Sequence, residues 1–379
     1  MHIYKLGNIR DKKAALKALG VESGGVSIME KKMETFSFFI KDLKTPAANI
    51  LKQDALSIGA DLAVPGGVIL CEKPVYDCIL IGTRKHIEVL SKKELAQPFG
   101  LKTVAAELKK FLTLKIYPRQ IMGVINANDD SFFAGSRFKA EDAITKINQM
   151  IEDGAAIIDI GAVSSRPDAA VVSSEVELER IKPICDIIKS EKLYEKVTFS
   201  IDSYTPSVVE YALKHGFTLI NDITGASDEA IIELAVKYEA KLCIMHMKGT
   251  PQTMQKDPHY DDVMLEVSDF FEARIAKCEG LGLGRENIIL DVGIGFGKTL
   301  EHNITLIKNM AHFKAFGCEV LVGASRKSMI DKIIASKTED RLPGTLTIHL
   351  KAVENGANIV RCHDVAEHMQ ALKVLNALR

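Results

Sequence analysis

Short apolar runs that end in a polar residue recur along the second two-thirds of the chain, each followed by a stretch with helical spacing. The runs are Ile121–Asn126, Ile157–Asp159, Phe199–Asp202, Leu219–Asp222, Cys243–His246, Ile288–Asp291, Val320–Gly323 and Ile359–His363. The stretches between them predict amphipathic helices near 139–152, 175–190, 206–215, 228–239, 261–280, 301–309, 341–355 and 365–377. Thr205-Pro206 reads as an N-cap with proline at the first helical position, and Asp364-Val-Ala-Glu367 as a capping box. Strands that end in a carboxylate, amide or guanidinium and lead into helices place chemistry at the C-terminal face of a (β/α)8 barrel. Eight such units predict an α/β chain with a closed (β/α)8 TIM barrel over residues 116–379. An open doubly wound sheet is the alternative, because closure is not written in the pattern.

Residues 1–115 differ. Phe36–Ile40, Gly67–Cys71 and Cys78–Ile81 read as strands, and Ala47–Ile58 and Val104–Leu112 as helices. They predict a small mixed α/β N-terminal domain whose role the sequence does not state. The Gly82-Thr-Arg-Lys85 turn has the form of an anion seat at a helix start, but an ordinary β-to-α turn with a solvated basic face is the favoured reading.

With 379 residues, 47% of them hydrophobic, the chain has ample material for a barrel core and a smaller unit. Lys+Arg 49 against Asp+Glu 50 leaves a net charge of −1. No global field then recruits nucleic acid or a membrane surface, and an anionic ligand needs a local cluster. The start lacks a signal-peptide core, and no apolar run approaches the ~20 residues of a membrane span. Seven cysteines in no metal-like spacing predict reduced thiols and a cytoplasmic location.

The candidate chemistry lies at the strand ends. Asp202, Asp222 and Asp291, with Asn221, would line one mouth with hydrogen-bond acceptors suited to a flat heterocycle bearing N–H donors, such as a pterin or purine. Ser325-Arg326-Lys327, Arg361-Cys-His363 and Ser164-Ser-Arg166-Pro167 bring cations to the same mouth, which predicts a phosphorylated substrate. Gly293-Ile-Gly-Phe-Gly297-Lys-Thr299 fails the Walker count by one residue and reads as a flexible βα loop that lets Phe296 and the backbone approach a ligand. His246, His259 and the cysteines form no zinc pattern. Asn126 is a single hard oxygen donor able to share Mg2+ with substrate phosphates.

Taken in order, these motifs resemble the dihydropteroate synthase family, folate-pathway enzymes that sulfonamides inhibit. The resemblance rests on Met122-Gly-Val-Ile-Asn126, Asp130-Ser-Phe132, Gly154-Ala-Ala-Ile-Ile-Asp159-Ile-Gly161, Ser165-Arg-Pro167, Ser200-Ile-Asp202 and Ile220-Asn-Asp222. It continues through Met245-His-Met-Lys-Gly249-Thr-Pro-Gln-Thr-Met-Gln255, Leu290-Asp-Val-Gly-Ile-Gly-Phe296-Gly-Lys298, Gly323-Ala-Ser-Arg-Lys327 and Arg361-Cys-His-Asp364, so it covers 120–379 and leaves out the first 115 residues.

The resemblance implies condensation of 6-hydroxymethyl-7,8-dihydropterin pyrophosphate with p-aminobenzoate, and a homodimer. It implies that Asp202, Asn221, Met245, Asp291, Phe296, Gly323 and Lys327 hold the pterin. Asn126, Arg166, Arg361 and His363 would hold the pyrophosphate, with Mg2+ at Asn126, and Phe132, Ser165, Pro167 and Ser325 the p-aminobenzoate. Asp202, Lys327, Arg361 and Asn126 would be the catalytic set. Two other readings share the barrel: a pterin-binding corrinoid methyltransferase domain and a non-catalytic pterin-binding paralogue. The chain departs from the family pattern at Asn128-Asp129 (usually Thr-Pro), Ala134-Gly135 (Gly-Gly), Ser165 (Thr) and Val292 (Pro). Of these, Asp129 adds negative charge where the pyrophosphate is expected unless Mg2+ or a shifted loop offsets it, and a first loop that tolerates variation is the favoured explanation.

Overall fold

The computed structural model describes residues 2–6, 9, 11–127, 137–163, 172–250, 253–254 and 256–378. Its contacts divide the chain into two compact units, Met1–Leu114 and Lys115–Leu378.

The first unit contains a three-stranded antiparallel sheet in the order β1-β3-β2, from β1 (Thr35–Lys44), β2 (Asp61–Ala63) and β3 (Val75–Thr83). Alternation sets its inner face: Tyr76, Cys78 and Leu80 of β3 are buried while Asp77, Ile79 and Ile81 between them are exposed. The buried side packs with α3 (Thr45–Ser57), α4 (Arg84–Lys93) and α5 (Leu101–Leu112) through Leu51, Leu62, Ile87, Leu90 and Leu101. Two short helices, α1 (Lys12–Ala18) and α2 (Ser23–Met29), precede the sheet.

The expected strand at Gly67–Cys71 is not one. Gly66–Val68 forms a 3-10 turn closed by the Glu72 N–H on the Gly67 carbonyl, and Ile69 and Leu70 are exposed. Pro65 and two glycines outweigh the apolar run that follows them. The Gly82–Lys85 segment is the β3-to-α4 turn.

The second unit is a closed barrel of eight parallel strands: β4 (Gln120–Asn126), β5 (Ile157–Gly161), β6 (Thr198–Asp202), β7 (Leu219–Asp222), β8 (Lys241–Met245), β9 (Ile288–Asp291), β10 (Glu319–Val322) and β11 (Ile359–Cys362). Closure through the β9–β10, β10–β11 and β11–β4 pairings excludes the open sheet. The helices are α6 (Arg137–Glu152), α7 (Ser174–Ser190), α8 (Pro206–Leu213), α9 (Glu229–Lys237), α10 (Val263–Gly280), α11 (Leu300–Lys308), α12 (Ser328–Ile333), α13 (Leu342–Glu354) and α14 (Val365–Ala377). Eight match the expected ones; the short α12 is additional.

Period-two arithmetic builds the interior. Met122, Ile157, Leu219, Cys243, Ile289, Leu321 and Ile359 form one apolar cluster. For six of these seven, the residue two places later, on the same face, is a strand-end candidate or its neighbour: Asp159, Asn221, Met245, Asp291, Gly323 and Arg361. The interior plug therefore ends where the polar layer begins. On β6 the corresponding position, two before Asp202, is Ser200, fully buried with no hydrogen-bond partner on its hydroxyl. At the opposite end of the strands, Lys241 and Glu319 pair at 2.5 Å, in the region where this fold places stability rather than catalysis.

Two expected caps differ in detail. Thr205 precedes Pro206 as expected, but its hydroxyl donates to Glu177 at 2.7 Å instead of capping. Asp364 does not cap α14. Its carboxylate accepts the Nε and Nη2 of Arg326, and a paired guanidinium is a stronger donor than a free backbone N–H.

Candidate active site

Arg361 stands at the centre of the polar layer. From the end of β11 its Nε donates to Asp159 Oδ2 at 2.6 Å and its Nη2 to Asp202 Oδ2 at 2.7 Å. These contacts use two of the five guanidinium N–H groups, leaving three able to meet an anion. The same Asp159 oxygen accepts Asn221 Nδ2 at 2.9 Å, which joins β5, β6, β7 and β11 in one network. Burial pushes the Asp202 carboxyl up to about 7, against the opposing pull of Arg361.

Asp291 and Lys327 form the other side. Asp291 Oδ1 accepts the Gly293 N–H at 2.8 Å, and burial raises its pKa while Lys327 lowers it. Lys327 Nζ donates to the Ile294 carbonyl and lies 4.4 Å from the centre of the Phe296 ring. Burial lowers the Lys327 pKa to about 8, with Asp291 acting in the opposite sense. Met245 lies beside Asp291 in the β8–β9 register, and a side chain at Gly323 would stand 3.7 Å from the Arg361 Cβ. Ser325 Oγ is 2.9 Å from His363 Nδ1 and accepts the His363 N–H at 3.3 Å. Asn126 ends β4 beside Gly161 of β5, half-buried.

The described candidates thus gather at one barrel mouth, with two exceptions that turn aside. Asp222 folds back on its own loop, accepting Thr224 N, Thr224 Oγ1 and Ala226 N, so it shapes a turn rather than the mouth. Arg326 points its fork at Asp364 and has a left-handed backbone, φ 57°. Phe132, Ser165, Arg166 and Pro167, with the departures at 128–129 and 134–135, lie outside the described residues.

Two residues had no role from the sequence. Asp159 ends an apolar run like its neighbours, and only its contacts distinguish it as the node of the network. Lys298 is 1% exposed; its Nζ contacts the carbonyls of His246, Gly293 and Phe296 at 3.0–3.2 Å and His246 Nδ1 at 2.9 Å. Burial lowers its pKa to about 7.

This clamp pins the loop after β9, whose glycines serve close approach. A Cβ at Gly293 (φ 66°) would fall 1.9 Å from the His246 carbonyl oxygen, and one at Gly297 (φ 61°) 2.3 Å from that of Lys248. Among the described residues no group of three His, Cys, Asp or Glu side chains could hold a metal ion.

Residues 122–363 match the family model described as pterin binding enzyme. The chain is 42% identical over 367 residues, 97% of its length and 96% of the relative's, to the bifunctional dihydropteroate synthase/dihydropteroate reductase of Helicobacter pylori. It is 42% identical over 258 residues, 68% of its length and 90% of the relative's, to the dihydropteroate synthase of Escherichia coli K12. The Yersinia pestis dihydropteroate synthase, solved as a sulfonamide complex, superposes with a TM-score of 0.65 at 34% identity, covering 71% of this chain and 98% of that one. The chain therefore belongs to the pterin-binding enzymes and, within them, to the dihydropteroate synthase family.

Proposed function

We propose that the chain condenses 6-hydroxymethyl-7,8-dihydropterin pyrophosphate with p-aminobenzoate, releasing pyrophosphate and forming 7,8-dihydropteroate. The observation that carries this reading is Arg361 between Asp159 and Asp202, which puts an anion-binding fork against ring-binding acids. Asp202, Asn221 and Asp291 accept the N–H groups of the pterin, with Met245, Phe296, Gly323 and Lys327 around the ring. Arg361 and His363, with Arg166 and Asn126, receive the diphosphate; Ser325, with Phe132, Ser165 and Pro167, forms the p-aminobenzoate side.

As the C–O bond to the diphosphate lengthens, positive charge spreads into the dihydropterin. The Asp202 carboxylate favours that cation while Arg361 stabilises the departing anion. The arylamine nitrogen then forms the new C–N bond and loses a proton. No enzyme nucleophile is required, and Cys243 and Cys362 are buried thiols whose pKa values burial raises.

The donor set suits Mg2+ carried in by the diphosphate rather than a resident ion: one amide oxygen at Asn126 and no acidic or imidazole cluster among the described residues. Bound there, the ion would neutralise charge on the leaving group. A corrinoid methyltransferase has no use for the Arg361, Ser325 and His363 grouping, which favours the synthase. Seven free cysteines support a cytoplasmic setting, and no described helix is long and apolar enough to cross a membrane. The family resemblance supports a homodimer.

A second activity has a specific support. The Escherichia coli relative matches 68% of the chain, whereas the Helicobacter pylori relative, whose name includes a dihydropteroate reductase, matches 97%. The added length takes in most of the 1–114 unit, so the two-unit arrangement goes with the bifunctional relative. We infer that this chain also reduces dihydropteroate.

The test uses the full chain. Pyrophosphate release that requires both the pterin pyrophosphate and p-aminobenzoate supports the synthase; ligand binding without turnover would leave the paralogue reading. Loss of dihydropteroate on adding a reduced nicotinamide or flavin donor tests the second activity separately.

A further inference from the structure

Asn221 is 5% exposed, and its amide has two ends of opposite character. Which end faces the ring decides whether β7 offers a ligand an acceptor or a donor. The Nδ2 group is 2.9 Å from Asp159 Oδ2, an atom that also receives Arg361 Nε at 2.6 Å. That oxygen already accepts from the guanidinium, so the amide turns its NH2 toward Asp159, leaving its oxygen for the mouth. Asp159 is itself fully buried on β5 and cannot swing away. Its other partner is the Arg361 guanidinium.

We propose that Asp159 is a positioning residue that selects the N–H-donating edge of a heterocycle by locking the Asn221 amide. Asp202 and Asp291 accept by chemistry alone; Asn221 accepts because Asp159 leaves it no alternative. The mouth then presents three acceptors in place of two acceptors and an ambiguous amide. A heterocycle offering a ring acceptor at that edge is rejected, because it would face an oxygen with no donor between them. The same contact transmits to the ring side any displacement of Arg361 by a phosphate.

This rests on the pterin reading above. Calorimetry with 6-hydroxymethylpterin, which lacks the diphosphate, compares wild type with Asp159→Ala, Asn221→Ala and the double variant. Asp159→Ala should weaken binding about tenfold in the presence of Asn221, the worth of one buried hydrogen bond, and less than about twofold once Asn221 is alanine. Asp159→Asn, whose amide oxygen can still accept both donors, should stay within about threefold of wild type, which guards against a variant that merely fails to fold. Additive losses, or an Asp159→Asn loss equal to that of Asp159→Ala, would overturn the positioning role. Failure of the wild type itself to bind the pterin would overturn the functional reading instead.

Discussion

Arg361 Nη2 and Asp202 Oδ2, 2.7 Å apart, come from strands separated by 159 positions in the chain, and their contact joins the acidic and basic parts of the mouth. A guanidinium spans Asp159 and Asp202 together because its Nε and Nη2 point in fixed, different directions. An ammonium is a single point and cannot serve both acids in that geometry. Arg361→Lys should therefore lower kcat/KM for the pterin pyrophosphate by about 100-fold, roughly 2.7 kcal/mol of transition-state stabilisation. Steady-state kinetics check this, and wild-type kinetics would place the diphosphate elsewhere.

Burial brings the two groups flanking the ring toward neutrality from opposite directions. Burial raises Asp202 to about 7 and lowers Lys327 to about 8. Asp202 must be ionised to accept a ring N–H, so kcat/KM should rise with pH through about 7. Lys327 must keep its proton to donate, so the rate should fall again above about 8. Lys327→Arg, which holds its charge, should remove the upper limb from the accessible range. A pH–rate profile of both proteins shows whether the limbs belong to these residues.

Much of this arrangement was legible in the chain. The eight barrel strands follow from apolar runs two residues deep below each polar end, and the helix positions from amphipathic spacing. What was not legible depends on partners. Asp202 and Asp222 look alike at strand ends, yet one meets Arg361 and the other its own loop amides. Asp364 carries a capping signature that Arg326 overrides. Asp159 gives no local hint that it joins Asn221 to Arg361, because that contact exists only once the barrel closes. In the smaller unit, the apolar run at Gly67–Cys71 has strand-like composition, but Pro65-Gly-Gly67 leads into it and turns the chain.

Lys298 lies between stability and function. Lys298→Met keeps most of the volume but leaves the His246 and Phe296 carbonyls and the His246 Nδ1 without the Lys298 ammonium, while the Gly293 carbonyl keeps the Phe296 N–H. Each buried acceptor so orphaned costs about 1–3 kcal/mol, less whatever the loop recovers by shifting. We expect a loss of about 3 kcal/mol in denaturant titrations. Phe296 lies inside the clamped loop, so pterin affinity should fall as well, by about tenfold. A stable variant with unchanged affinity would mean that the glycine loop holds its shape without the clamp.

A pair of buried histidines links the loops after β10 and β11. The Ala324 N–H donates to His349 Nε2 at 2.9 Å, which places the His349 proton on Nδ1, facing His368 Nε2 at 2.8 Å. The His368 proton is then on Nδ1, donating to the Asp364 carbonyl at 2.6 Å. The relay works only with both rings neutral, and burial lowers both pKa values below the ordinary 6.5, that of His349 strongly. The unfolded chain takes up protons below about pH 6.5 that the folded relay refuses, so folding stability should fall as pH drops through that value. His349→Gln can accept from Ala324 and donate to His368 with less proton demand. It should lose about 1 kcal/mol at neutral pH yet show a shallower acid decline. His349→Leu orphans the Ala324 N–H and should raise KM for the pterin pyrophosphate, because Ser325 and Lys327 follow directly on that amide. Urea titrations between pH 5 and 8 distinguish these outcomes, and parallel slopes for wild type and His349→Gln would remove the relay from the acid response.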